Sequence, residues 1–409
     1  MLNDKMEREL AYVVKIDAIQ PIEGADKVEL AIVGGWRVMV RKDQFKPGDL
    51  AIYFEIDSKV PAKPEFEFLA AKHYKVKTQK YFKGTVISQG LLMAAEDLGG
   101  RTYEDKISLN WKDFVVGDFL TKELKVVYAV EEDNKRKGKP DPNGKYKSMM
   151  ARHPKLAKSK FGRWAMKHTF MKKILFVFLG KKKDNPKSWP VGKFPGVSKT
   201  DQERCENMTW VLNDKEPYIV TQKCDGSSGT YILERKGKNK FEFYVCSRNV
   251  RMKDKEQECF YGTHNYYWEV ADKYDIKNKM KQYLNSNPDI KWVCWQGEIC
   301  GPGIQKNPHF LKDTHFYCFH WTDSKKGRLD LLNAKCLWDT YDMEVVPIVD
   351  TEFILPDDFE EFKLQADGDY DLSVSGDGKK HPREGFVYYK VSEPTFSFKN
   401  VSRKYLLNH

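Results

Sequence analysis

Residues 218–228 read YIVTQKCDGSS, and this stretch decides how the second half of the 409-residue chain is interpreted. Five strand-forming residues precede a lysine, and an aspartate and a glycine follow it at the second and third positions. Because successive strand residues face opposite sides, Lys223 and Asp225 are predicted to point into the same cleft. Gly226 lets the backbone turn closely past a phosphate or a base. A lysine in a cleft can act as a covalent nucleophile if burial or a nearby cation lowers its pKa.

Other strand-like segments surround this stretch from about residue 191 onward. They read GTYILERK, FEFYVCS, KWVCWQGEI, HFYCFHW, GFVYYKV and TFSFKNV. Helical patterns lie near 264–286 and 328–341. Residues 191–409 are therefore predicted to form an α+β domain of mainly antiparallel sheets with flanking helices.

The first 125 residues carry a different pattern of short β-branched and aromatic runs. The runs are AYVVKIDAIQ, VELAIVGGWRVMV and DLAIYFEI. Turn signals separate them at Pro21/Gly24, at Gly34-Gly35 and at Pro47-Gly48. Several short strands at close intervals predict a small β-barrel or sandwich over residues 1–125.

Positive charge is concentrated between these two regions. Residues 131–190 contain 18 lysines and arginines against 5 acidic residues, although the whole chain carries a net charge of only +11. Concentrated cationic charge attracts a polyanion, so nucleic acid is the leading partner. A solvated linker is nearly as good an interpretation of 131–147, whereas 148–180 also carries apolar residues and is predicted to be partly helical. We define residues 126–190 as the basic insertion.

The remaining composition excludes some classes of protein. The chain has no long apolar run that could span a membrane. Its eight cysteines all lie at or after Cys205 without CxxC spacing, which predicts reduced cytosolic thiols and neither a disulfide framework nor a zinc site.

Three later segments could complete a site around Lys223. They are QGE ending at Glu298, EGFV beginning at Glu384, and SFK ending at Lys399. Each of these residues alone could be an ordinary surface charge. Together with the segment at Lys223 they make four segments in a fixed order, which is much less easily explained as surface charge.

The order of these segments resembles the covalent nucleotidyltransferase superfamily of polynucleotide ligases and capping enzymes. Two further features narrow the resemblance. The run Lys199-Thr200-Asp201-Gln-Glu203-Arg204 is similar to the KTDxxR segment of one RNA ligase family, and the N-terminal run from Pro21 to Asp26 is similar to that family's OB module. The chain thus resembles ATP-dependent RNA ligases of the Deinococcus–Naegleria type, which implies an N-terminal OB-type β-barrel followed by an adenylyltransferase domain.

The resemblance implies a role for each matching residue. Lys223 would be the catalytic nucleophile that forms lysyl-AMP from ATP, before AMP passes to an RNA 5′-phosphate. Asp225, Glu298 and Glu384 would hold Mg²⁺ or Mn²⁺, largely through its waters. The nucleotide-binding residues implied are Arg204, Gln222, Arg248, Glu298, Phe319, Glu384 and Lys399.

Some assignments have alternatives. Ser397 stands where relatives often have a second lysine, so Lys390 or Lys404 could replace Lys399. The resemblance assigns the adenine-stacking ring to Phe319. Phe316, Tyr317 and Trp321 are equally aromatic, and any of these four side chains could instead belong to the core. Arg248 could instead be an exposed arginine at the end of a strand, without a role in binding the nucleotide.

The resemblance also implies partners and rival functions. RNA ends bearing a 3′-hydroxyl and a 5′-phosphate are the expected partners, in RNA repair, and we expect a monomeric cytoplasmic protein without a membrane. Rivals are a DNA ligase, a capping guanylyltransferase, or a non-catalytic RNA-binding relative. We further expect that deleting the OB module leaves lysyl-AMP formation in place and abolishes sealing.

Overall fold

The computed structural model describes most of the chain outside the basic insertion. The described ranges are 1–3, 7–84, 86–98, 114–129, 187–190, 192–252 and 265–408, with 156, 159–165, 168, 170–171 and 173–175. They form two compact units, one of Met1–Val126 with Lys187–His409 and one of Val127–Pro186.

The N-terminal part of the first unit consists of short antiparallel strands, as the turn signals predicted. They are β1 Ala11–Lys15, β2 Ala18–Pro21, β3 Val28–Val33, β4 Trp36–Arg41, β5 Leu50–Phe54, β6 Ser58–Lys59, β7 Thr78–Tyr81, β8 Val86–Gln89 and β9 Leu91–Ala94. Strands β1-β5-β9 and β2-β3-β4 form two three-stranded sheets, and β7 pairs with β8. Short helical segments span Pro64–Lys72, Phe82–Gly84 and Ala95–Leu98.

Aromatic residues fill the core enclosed by these strands. The Tyr53 ring lies 5.5 Å from that of Tyr12 and 5.3 Å from that of Trp36, measured between centroids, and all three are buried. Gly90 has a φ of +97°, and a Cβ there would lie 2.4 Å from the Tyr53 ring. Only glycine fits at this turn.

The second unit is described only in part. It contains β10, Val127–Tyr128, and the helix Lys160–Ala165, in agreement with a partly helical insertion. Residues 181–183 lie outside the described part of the chain. The division of the sequence at 125 and 190 stays a prediction.

A seven-stranded antiparallel sheet forms the larger layer of the C-terminal half, in the order β11-β16-β15-β14-β17-β18-β19. Its strands are β11 Lys187–Ser188, β14 Ser227–Gly237, β15 Lys240–Ser247, β16 Val250–Met252, β17 Trp292–Cys300, β18 His315–Asp323 and β19 Gly327–Arg328. The helices Tyr266–Lys273, Ile276–Ser286 and Leu331–Thr340 share one apolar core with it.

A five-stranded sheet forms the other layer, in the order β12-β22-β21-β13-β20. Its strands are β12 Glu203–Arg204, β13 Tyr218–Gln222, β20 Ile348–Phe353, β21 Gly385–Lys390 and β22 Ser397–Val401. Its strands pair antiparallel except β12 and β22, which are parallel. Helical segments span Cys205–Asn207, Thr209–Asn213, Phe359–Leu364, Leu372–Val374 and Arg403–Asn408.

The predicted α+β class and the predicted strands are confirmed. The helical pattern at 264–286 is two helices, because Asp275 adopts a left-handed conformation with φ 48° and separates them. Among the described residues, no helix is both long and apolar enough to cross a membrane.

Candidate nucleotidyltransferase site

The KCDG segment, residues 223–226, connects the two large sheets. It follows β13 of the five-stranded sheet and leads directly into β14 of the seven-stranded sheet. The Lys223 backbone N–H donates to the carbonyl oxygen of Gly385 at 2.9 Å, which fixes the segment beside β21. A Cβ on Gly226 would lie 2.3 Å from the carbonyl oxygen of Ile299. The glycine therefore allows the segment to pack against β17, the strand that carries Glu298.

Lys223 is surrounded by carboxylates. Its ammonium group donates to Glu384 Oε2 at 2.7 Å, and the two side chains are 22% and 15% exposed. Burial alone lowers the pKa of Lys223, but the charges of Glu384 and Glu298 outweigh burial and raise the pKa above its usual value. The sequence had suggested a lowered pKa, and the structure differs because these carboxylates stabilise the charged form.

The carboxylates also act on one another. Burial is the main cause that raises the pKa of Glu298 to about 8, and burial followed by the charge of Glu384 raises that of Asp225 to about 7. The Tyr405 hydroxyl donates to Asp225 Oδ2. Three acids thus share one cleft with a single ammonium group, and a bound cation would relieve their repulsion.

A cationic cluster lies beside this cleft. Asp201 Oδ1 accepts from Lys399 Nζ at 2.8 Å, and Asp201 Oδ2 accepts from Arg248. Burial opposes the shift, but Lys399 and Arg248 hold the pKa of the Asp201 carboxyl far below its usual range. Burial lowers the pKa of Lys399 to about 8, although Asp201 opposes that shift. Asp201 thus connects two of the predicted phosphate-binding cations.

Parallel pairing of β12 with β22 brings Arg204 into the same cluster, because Arg204 lies in register with Lys399. Arg204 is only 6% exposed, and its Nε and Nη1 have no hydrogen-bond partner among the described residues. Its Nη2 lies 3.5 Å from Asp57 Oδ2, and its guanidinium carbon lies 5.9 Å from the Trp36 ring. Buried guanidinium donors without a partner suit an anionic ligand.

The alternatives to Lys399 lie in other surroundings. Lys390 pairs with Asp214 at 2.6 Å, and Lys404 is 72% exposed beside Asp367. The structure thus favours Lys399 as the lysine of the cationic cluster.

Phe319 lies at a β-bulge, which distinguishes it from the other aromatic residues of β18. Gln296 pairs with His320 and Gly297 pairs with Cys318, so Phe319 is left without a partner on β17. Its side chain is half-buried, whereas those of Phe316, Tyr317 and Trp321 are buried. Bulges of this kind redirect a side chain beside a functional site.

Gln222 contacts the segment that follows Tyr370. Its Oε1 accepts from the backbone N–H of Asp371 at 2.5 Å, whereas its buried Nε2 has no partner in the described ranges. Phe319 packs against an apolar cluster that includes Cys224 and Tyr370. A half-buried aromatic ring and an unpaired amide donor are groups that suit a nucleobase.

Comparisons with known proteins agree with this fold. A family model described as RNA ligase matches residues 216–406, and one described as an OB-fold domain matches residues 10–95. Residues 216–406 are an RNA ligase domain. The predicted order of an OB module followed by a nucleotidyltransferase domain is confirmed. A search of curated protein sequences gives no match.

Solved structures resemble nearly the whole chain. Naegleria gruberi RNA ligase with PPi is 24% identical with a TM-score of 0.69, and covers 98% of this chain and 99% of its own. A mutant of that ligase with ATP and Mn has a TM-score of 0.70 at the same identity and coverage, and one with AMP and Mn has 0.69. At this identity the similarity shows the fold.

The predicted metal ligands Asp225, Glu298 and Glu384 are carboxylates, the donors that hard divalent cations prefer. In the described part of the chain, no three His, Cys, Asp or Glu side chains are arranged to hold a metal ion directly. The raised pKa values of Asp225 and Glu298 nevertheless indicate a cleft that favours added positive charge. This donor set suits a hydrated divalent cation.

Three residues near the site had no predicted role. Asp201 lies inside the KTDxxR run, and Asp57 lies in the turn after β5. The sequence did not show that either carboxylate would pair with a cation. His309 accepts at Nε2 from the Asp225 backbone N–H at 3.2 Å. Burial lowers the pKa of His309 to about 4, so this imidazole is neutral at pH 7.

Proposed function

We propose that the chain is an ATP-dependent RNA ligase that joins an RNA 3′-hydroxyl to a 5′-phosphate, in the repair of nicked or broken RNA. The arrangement of Lys223 among three carboxylates, within the matched RNA ligase domain, is the observation that supports this function most directly. Arg204 and Lys399 would supply contacts to the phosphates, and Gln222 and Phe319 would supply contacts to the base.

The proposed reaction has three steps. Lys223 Nζ, once deprotonated, attacks the α-phosphorus of ATP and displaces pyrophosphate, which forms a phosphoramide bond to AMP. An oxygen of the RNA 5′-phosphate then attacks the same phosphorus and releases the lysine. Finally the RNA 3′-hydroxyl attacks the 5′-phosphate, forms the phosphodiester bond and displaces AMP. Positioning and charge neutralisation dominate such transfers.

Lys223 must leave Glu384 before it can attack. In the ligand-free site the carboxylates keep its amine protonated, so positive charge has to be added near them. Asp225, Glu298 and Glu384 would hold Mg²⁺ or Mn²⁺ through its waters. When bound, the cation would favour the neutral amine and neutralise the phosphates. Lys399 and Arg204 would orient the phosphates for attack.

Labelling with ATP tests the proposal. Wild-type protein incubated with α-labelled ATP and Mg²⁺ should acquire an acid-labile label. Lys223→Ala should lose at least about 1,000-fold in labelling because the nucleophile is gone. Lys335→Ala is the control, because Lys335 forms an exposed ion pair with Asp339 on the helix Leu331–Thr340. Full labelling of the Lys223→Ala protein would refute the assignment.

The RNA partner needs a separate test. Sealing should require ribonucleotides at the 3′-hydroxyl side of the junction, and equal rates on an all-DNA nick would indicate a DNA ligase. We also propose that the protein is a monomer, which its elution volume would test. All seven cysteines in the described part are free thiols, which supports a cytoplasmic location.

A further inference from the structure

Two exposed loops meet next to the KCDG segment and form an aromatic surface that the reaction steps above do not use. The Phe310 ring lies 4.1 Å from the His381 ring, measured between centroids, and the two planes are inclined by only 20°. Phe310 is 52% exposed. We define Phe310 and His381 as the aromatic platform.

The platform is connected directly to the nucleophile segment. His309, adjacent to Phe310, is fully buried and accepts from the backbone N–H of Asp225, two residues after Lys223. The carbonyl oxygen of His309 accepts from the Gly376 N–H at 2.8 Å. A Cβ on Gly376 would lie 2.3 Å from the Phe310 carbonyl oxygen, so the two loops are in close contact.

Side-chain hydrogen bonds hold both rings in place. The Asn307 side chain donates to the Leu311 carbonyl oxygen at 2.8 Å and accepts from the Leu311 N–H at 3.0 Å, so it closes the loop around Phe310. Asp377 Oδ1 lies 2.9 Å from His381 Nε2 and accepts from the Lys379 N–H at 3.0 Å. An exposed ring fixed in this way loses little conformational freedom when a ligand stacks on it.

The backbone of the first loop is also unusual. Gln305, Lys306, Asn307 and Phe310 all have φ between 44° and 59°, a left-handed conformation that is costly for residues other than glycine. Such conformations are concentrated at ligand-binding sites.

Exposed lysines lie in both loops of the platform. Residues 301–314 and 375–383 carry four exposed lysines and two aspartates, Asp313 and Asp377, and the exposed Asp369 and Asp371 lie on the segment that pairs with Pro382. The lysines are Lys306, Lys312, Lys379 and Lys380. Phe310 is the exposed ring of the platform, whereas the His381 side chain is only 19% exposed. An exposed aromatic ring among cations suits single-stranded nucleic acid, because a base can stack on the ring while the cations contact the backbone.

We propose that the aromatic platform stacks a base of the RNA next to the junction, with the four lysines contacting its phosphates. This inference rests on the proposed function and extends it, because it assigns where the RNA end lies relative to Lys223. The platform binds RNA and takes no part in adenylylation.

Fluorescence of a base analogue tests this assignment. Two RNA ends are compared, one with 2-aminopurine at the 5′-terminal nucleotide and one with it at the 3′-terminal nucleotide. Binding to the protein should quench the 2-aminopurine fluorescence at one of these two positions. Phe310→Ala should abolish that quenching and raise the Kd for the RNA end about 5- to 100-fold. Phe310→Trp should retain both. Labelling with ATP should be the same in all these variants, which also shows that they fold.

Trp210→Ala is the matched control. Trp210 is 57% exposed and also has one aromatic neighbour, Phe396, at 5.8 Å between centroids. Its loss should change neither quenching nor Kd. Unchanged quenching and Kd in Phe310→Ala would overturn the proposal and leave the platform to another kind of partner, such as a protein. RNA binding is measured without sealing, so a failure of the platform proposal is distinguishable from a failure of the proposed ligase activity. The absence of ATP labelling in the wild type would show the second failure.

Discussion

Glu298 lies at the end of β17 among Lys223, Asp225 and Glu384, and it couples the stability of the protein to pH. Burial is the main cause that raises its pKa to about 8, so the folded state binds a proton more tightly than the unfolded state does. The stabilisation from that proton is fully present below about pH 4.3, the usual glutamate value, and is lost as pH rises through about 8. The ligand-free protein should therefore lose stability across this range.

Glu298→Gln should remove the loss of stability with rising pH. Without metal and at pH 8.5, the variant should melt at a higher temperature than the wild type, by on the order of 2 °C or more. The reason is that the amide at position 298 carries no charge, whereas the wild type buries an ionised carboxylate there. At pH 4.5 the two proteins should melt alike. Labelling with ATP should fall steeply. Thermal unfolding in a chelator at both pH values measures the effect.

Glu344→Gln is a control with the opposite sign. Burial opposes the shift, but hydrogen bonds from His315 and Tyr274 lower the pKa of Glu344. Its ionised form therefore stabilises the fold, and the amide should lower the melting temperature at pH 8.5. A stabilising Glu344→Gln, or a destabilising Glu298→Gln, would contradict the account of these two carboxylates.

At the scale of elements, the KCDG segment depends on its close contact with β17. Gly226→Ala should place a Cβ 2.3 Å from the Ile299 carbonyl oxygen, so the segment has to move and Lys223 moves with it. We expect a destabilisation of about 1–3 kcal/mol and a labelling rate at least about tenfold lower. Thermal unfolding and ATP labelling measure the two effects.

Gly237→Ala is the comparison for that variant. Gly237 ends β14, the strand that follows the KCDG segment, and the nearest atom to a Cβ there would be 3.8 Å away. Stability and labelling should remain close to those of the wild type. Equal behaviour of the two alanine variants would show that the contact with β17 does not position Lys223.

The strands could be predicted from the sequence because each carries β-branched and aromatic residues between clear turn signals. The helix Phe359–Leu364 was missed, since six residues are too few for a periodic pattern. Lys223, Glu298 and Glu384 were predicted from segments whose order is informative. The pairing of Asp201 with Lys399 was not, because it depends on parallel pairing between strands about 200 residues apart.

At the scale of the whole molecule, the OB domain contacts residues of the proposed nucleotide site. Asp57 is 3.5 Å from Arg204, and Asn207 accepts from Tyr12 at 3.1 Å and from Trp36 at 2.7 Å. The expectation that deletion of the OB module leaves lysyl-AMP formation in place stays a prediction, and these contacts give a reason to test it. The OB domain contributes part of the wall that holds Arg204.

Asp57→Ala should therefore weaken adenylylation. We expect a several-fold rise in the KM for ATP, because Arg204 loses the carboxylate that orients it. Sealing of a pre-adenylylated RNA should change by less than about twofold. Asp26→Ala is the control, since Asp26 is exposed in another turn of the same domain. An unchanged KM for ATP in Asp57→Ala would show that the domains act independently in this step.

The basic insertion should act on RNA rather than on ATP. Replacing Lys181, Lys182 and Lys183 with alanine should weaken RNA binding and flatten its salt dependence, because each phosphate contact steepens that slope. ATP labelling should not change. Affinity across a salt series measures the effect, and coinciding slopes would show that the insertion is a spacer or a protein-docking segment.

Asp201 also determines which anions the cationic cluster can accept. Because Lys399 and Arg248 already share this carboxylate, an incoming anion has to compete with an internal counter-ion. A small, weakly charged anion makes too few contacts to displace it, whereas a triphosphate can engage several cations at once. The cluster should therefore bind a polyvalent anion such as a triphosphate in preference to a monovalent anion such as chloride.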